Sequence, residues 1–117
     1  MKAVIRSLMS VDVDDLPSWA PEDDRWSLGL RILAGPDDGP GEESFDLTVC
    51  SLSWMTDQVR KDGVFAGRHH LIVEWYDWPL IEAHVRRRVA TCEGADWAEV
   101  AAKIGRFAYW EFEDYVE

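Results

Sequence analysis

WSLGLRILA, residues 26–34, alternates Trp26, Leu28, Leu30 and Ile32 with Ser27, Gly29 and Arg31. Successive side chains of a strand point to opposite faces, so this period of two predicts a half-buried β-strand. A dense turn signal follows in Gly35-Pro36-Asp37-Asp38-Gly39-Pro40-Gly41. Phe45, Leu47 and Val49 then alternate again. Residues 26–34 and 43–51 therefore read as a hairpin with a long acidic loop.

Working outward, Lys2–Leu8 is a first strand, separated from the hairpin by a loop with Pro17, Pro21, Trp19 and a group of acids. After the hairpin, Ser53 is placed to cap a short helix over about 54–61, with Trp54 and Val59 inward and Gly63 at its end. Arg68–Tyr76 is a strand; its consecutive Leu71, Ile72 and Val73, apolar on both faces, predict an interior position. Asp77 caps the main helix, with Pro79 in its first turn and Ile81, Val85, Val89 and Cys92 as its buried stripe. Gly94 stops it. Asp96-Trp97-Ala98-Glu99 has the form of a capping box, opening a helix with Trp97, Val100, Ala101 and Ile104 inside. In Ala108–Tyr115, Trp110 and Phe112 point one way and Tyr109, Glu111, Glu113 and Tyr115 the other. The order is β-β-β-α-β-α-α-β. It predicts one α+β domain over 1–117, a mostly antiparallel sheet with helices packed on one face. The other face is then either solvated or a working surface.

Charge narrows the partners. Twenty-three acids against twelve Lys and Arg give the 117-residue chain a net charge of −11. Residues 1–24 set Lys2 and Arg6 against six acids; Asp37, Asp38, Glu42, Glu43 and Asp46 crowd the hairpin loop; Glu111, Glu113, Asp114 and Glu117 oppose Arg106 at the end. Such a field repels nucleic acid and anionic lipid and speeds encounter with a basic partner, though surplus acid also serves solubility alone. The start has no apolar core of a secretory signal and no apolar run reaches membrane length, which predicts a cytoplasmic protein. Cys50 and Cys92 are then expected to be reduced and buried.

Catalytic constellations are not found at the usual spacings. His69 and His70, adjacent on a strand, point to opposite faces, and His84 has no helical HxxxH or HExxH partner. The cysteines lack CxxC spacing, and neither a GxSxG elbow nor a GxxxxGK loop occurs. The paired carboxylates are too numerous to single out an acid–base couple. Arg86, Arg87 and Arg88 fan around a helix; Arg86 and Arg87 read as solvated and Arg88 as nearer the core, paired with an acid. The expectation is no enzyme, no cofactor and no metal. Seven Trp are more telling. Trp26, Trp54, Trp97 and Trp110 lie on apolar stripes, whereas Trp19, Trp75 and Trp78 have less obvious homes. The stripe Tyr109, Glu111, Glu113, Tyr115 mixes rings with acids, which suits either a solvated sheet face or a protein interface.

GEESFDLTVC at 41–50, Ser53-Trp54-Met55, GRHHLIV at 67–73, CEGADW at 92–97 and WEFEDY at 110–115 resemble the immunity protein 8 family of bacterial polymorphic toxin systems. The similarity runs from Ile5 to Tyr115. It implies a bacterial antitoxin that binds the toxic C-terminal domain encoded beside it, with no catalytic or metal residues to carry over. Nucleases are basic where phosphate binds, so an acidic antitoxin would act there as a phosphate mimic. On that reading the toxin-binding residues are Tyr109, Glu111, Glu113 and Tyr115 with Asp37, Asp38, Glu42 and Glu43. The alternatives are a small enzyme or ligand-binding domain with a pocket between sheet and helices near His70, or a subunit of a larger complex.

Overall fold

The structure, a computed structural model, describes residues 1–113. Strands β1 (Ala3–Ser10), β2 (Ser27–Pro36) and β3 (Glu43–Ser51) run antiparallel in sequence order. Helix α1 (Leu52–Asp62) leads to β4 (His70–Val73), which lies parallel to β3. Helices α2 (Trp78–Ala90) and α3 (Trp97–Ile104) follow, and β5 (Tyr109–Trp110) returns antiparallel to β3. The class, the element order and the mostly antiparallel sheet are as the sequence predicts.

Register builds the core. Leu28 stands opposite Val49, Leu30 opposite Leu47 and Ile32 opposite Phe45, and all six are buried. Ile81, Val85 and Val89 of α2 join this cluster together with Val100, Ala101 and Ile104 of α3. Full burial of each large side chain contributes about 1.5–3 kcal/mol. The loop before β2 is tied to the same core by Val13 and Leu16, and by Trp19, Trp26 and Tyr76, which meet edge to face. Trp78, without an obvious home in the sequence, is buried too, while Trp75 is exposed.

Several boundaries move, each for a local reason. The α1 cap is Ser51, not Ser53: β3 runs straight into the helix, and Ser51 Oγ accepts from the Trp54 and Trp26 amides. Met55 is the buried residue of α1, and Val59 faces outward. β4 is an edge strand, because among the described residues no further strand lies on its outer side; Leu71 and Val73 reach the core while Ile72 is exposed. It begins only at His70, since His69 has a left-handed φ of 65°. α2 ends at Ala90 with Thr91 as its cap, ahead of Gly94. Gly94 instead receives the Glu99 side chain, which a Cβ would meet at 2.8 Å. Among the described residues Arg88 has no acid partner, and it lies over the Phe107 ring at 4.5 Å. The last strand stops after two residues, because the Glu113 amide turns back to the Trp110 carbonyl.

β1 carries a bulge at Arg6, where register slips between Ile5 and Ser7. The released guanidinium donates to the carbonyls of Pro36 (3.0 Å) and Gly39 (2.8 Å), bracing the acidic loop against β1. Gly35 makes that loop possible: a Cβ there would sit 1.9 Å from the Gly41 carbonyl oxygen. Gly35→Ala is expected to lower stability by about 1–3 kcal/mol through this overlap. Gly39→Ala, with nothing within 4 Å of its Cβ, stays within about 0.5 kcal/mol. Urea midpoints compare the two. Burial pushes the Cys50 thiol up to about 11 and raises that of Cys92. A thiol reagent at pH 8 should therefore modify neither cysteine in the native protein and both after unfolding.

Candidate functional site

The sheet has two unlike faces. Even-numbered β2 residues and odd-numbered β3 residues point into the core, so Gly29, Arg31, Leu33, Ser44, Asp46 and Thr48 point the other way. β1 adds Ser7 and Met9, paired with Leu33 and Arg31, and β5 adds Tyr109, paired with Asp46. α1 packs at one end of this outer face. His70 pairs with Thr48 and stacks on Trp54 of α1, with Phe65 edge-on, and Cys50 beneath is fully buried. The other end, toward the acidic loop, carries Met9, Leu33, Arg31, Asp46 and Tyr109.

An ion pair stands in the middle of that open end. Arg31 donates from Nε to Asp46 Oδ1 at 2.9 Å and from Nη2 to Oδ2 at 3.2 Å. The hydrogen bond and charge of Asp46 raise the Arg31 pKa, and Glu111 adds to the effect. Both side chains are nearly half exposed, so the pair adds at most about 1 kcal/mol to stability. Its consequence is positional: a two-point contact fixes a charged centre among apolar neighbours. Tyr109 is 52% exposed and meets His69 edge-on.

The sequence-predicted binding residues divide into two groups. Tyr109 and Glu111 stand beside the Arg31–Asp46 pair, and Asp38 and Glu42 are exposed on the hairpin loop. Asp37 accepts from the Lys2 amide at 3.1 Å, which holds the loop to β1. Two others work inside the fold. Glu43 accepts from the Trp110 indole at 2.7 Å, and Glu113 pairs with Arg68, which also donates to the Gly105 carbonyl. Tyr115 lies outside the described residues. Met9, Val11 and Leu33 carry no motif that marks them in the sequence. Alternation along β1 is the signal for Met9, but the bulge at Arg6 breaks its phase.

Two other cavities lie away from this face. Between sheet and helices, near His70 and His84, the space is about 30 Å³, room for one water. Burial lowers the His84 pKa, helped by the charges of Arg88 and Arg87. A larger cleft of about 470 Å³ lies between residues 8–17 and the start of α2, with Trp78 in its wall and Asp14, Asp15, Glu82 and Arg86 around it. Among the described residues no three of His, Cys, Asp and Glu converge as a metal site requires, and no helix is long and apolar enough to cross a membrane.

A family model described as Immunity protein 8 matches residues 3–115. No curated protein and no solved structure matches the chain.

The internal use of Glu43 is directly measurable. Glu43→Ala is expected to cost about 1 kcal/mol by orphaning the Trp110 indole, and to speed amide exchange over 109–113. Glu42→Ala on the exposed loop should stay within about 0.5 kcal/mol.

Proposed function

We propose, from the premise that the chain belongs to the immunity protein 8 family, that it protects the cytoplasm of the producing cell by binding and neutralising a cognate toxin domain. The toxin surface it meets is basic, and the proposed toxin class is a nuclease. The family match over nearly the whole chain carries the immunity role. The electrostatics support the rest. Among the described residues, ion pairs engage Asp46, Asp57, Glu82, Glu93, Glu99 and Glu113, so most of the acids have no cation held against them. A net charge of −11 gives a long-range negative field.

A nuclease must hold phosphate, and the groups that do so are cationic. Carboxylates presented on a braced loop satisfy those cations and keep the substrate away. Tyr109, Glu111 and the exposed acids Asp38 and Glu42 are the residues proposed to make the first contacts. Attraction over several ångströms sets the association rate; a few desolvated rings and apolar side chains set the lifetime of the complex.

Co-expression with the toxin domain encoded beside it is the test. Rescue of growth and co-purification are expected; no rescue, with a folded protein and an active toxin, overturns the immunity reading. Association followed by stopped flow should slow steeply as salt rises. Glu111→Lys should slow it about tenfold at low salt, while Asp62→Lys at the end of α1 changes it less than twofold. Equal effects from the two would remove the assignment of the contact face.

A further inference from the structure

Apolar side chains stand exposed over the middle of the outer face of the sheet, where no helix among the described residues covers it. Met9 is 45% exposed and Val11 79%, and Leu33 lies beside them at half burial. Val11 also borders a shallow hollow of about 130 Å³ over Gly29 and the Arg31–Asp46 pair. Across the pair stands Tyr109. An apolar centre with one fixed ion pair and an acidic rim has the composition of a protein interface, whose core is poor in mobile charge and whose rim is polar.

We infer that this uncovered part of the sheet, formed by Met9, Val11, Leu33, Arg31, Asp46 and Tyr109, is the docking surface for the toxin domain. It rests on the immunity reading and deepens it, since it moves the energetic centre of the complex from the acidic loops to the β1–β2 side of the sheet. Charge selects the occupant. A second copy of this chain would bring another −11 against the same face, with Glu111 at its edge and the 37–42 loop at the end of the same hairpin. A basic surface with apolar side chains at its centre instead gains on both counts. The bulge at Arg6 belongs to this arrangement. By anchoring the hairpin loop to β1 it fixes the rim before binding, which lowers the ordering cost of association.

The central pair gives the surface its selectivity. Docking removes water from Arg31 and Asp46, which remain satisfied by each other through two hydrogen bonds. A partner that opposes Arg31 with a cation is then disfavoured, while one that offers an acceptor or an apolar group is tolerated.

Two matched pairs of substitutions test the assignment with the full chain and its toxin domain. Met9→Glu with Val11→Glu removes apolar surface from the sheet face while deepening the negative field. Leu80→Glu with Ala83→Glu makes the same charge change on the exposed side of α2. The first pair is expected to weaken binding at least tenfold through faster dissociation, with association unchanged or faster; the second should leave affinity within twofold. Urea midpoints of both variants establish that each is folded. Amide exchange of the wild-type complex supplies an independent reading, with new protection expected over residues 7–11 and 31–33. Wild-type binding that the sheet variant leaves unchanged, or protection confined to α2 and α3, overturns the docking surface and leaves the immunity role standing. Sedimentation of the isolated protein as a dimer that Met9→Glu dissociates makes the occupant a second copy, which also overturns it. A wild-type protein that does not bind the toxin at all sinks the immunity reading instead.

Discussion

The pairing of β2 with β3 is the constraint on which the rest depends. Strand side chains alternate strictly, so the register that sets Ile32 against Phe45 and Leu30 against Leu47 also fixes what lies behind them. A slip of one residue would bury Arg31 and Asp46 beneath α2 and expose the core set. With the register held by six buried side chains, the ion pair and Tyr109 are delivered to the opposite face at no extra cost. The core and the proposed docking surface are two sides of one hydrogen-bonded ladder.

Local hydrogen bonds then decide which acids stay available. Arg6, pushed out of register by the bulge, holds the carbonyls of the hairpin loop. Arg68 draws Glu113 back toward Gly105, and the Trp110 indole engages Glu43. Buried or half-buried polar groups need partners, and these acids supply them. What remains outward is a smaller set than the sequence offers. Glu111, Asp38 and Glu42 are exposed, and the first of these is close enough to influence Arg31.

The arrangement separates two tasks that binding must perform. Dispersed carboxylates act at a distance and govern how often partners meet. Apolar and aromatic side chains act only on contact and govern how long they stay together. An immunity protein needs both, because the toxin must be caught early and held. The family places the chain in that role, and the sheet provides a face on which the two kinds of residue lie side by side.

The sequence carries the element order, both core strands of the hairpin, the α2 stripe and the caps at Asp77 and Asp96. These follow from periodicity and side-chain chemistry within a few residues, and such local signals survive without knowledge of the fold. It also gave the acidic balance and the family. Only the folded chain makes β4 an edge strand: among the described residues β3 is its one strand partner, and no spacing within 68–76 records that. It alone decided that the last strand stops at Trp110, where Arg68, forty-five residues upstream of Glu113, takes the acid that the alternation had turned outward. Met9 and Leu33 join Tyr109 on one face only because register brings together strands that are distant in the chain. A pattern of neighbours carries what neighbours do to each other; a surface assembled from four strands is set by pairing, and pairing is settled in space.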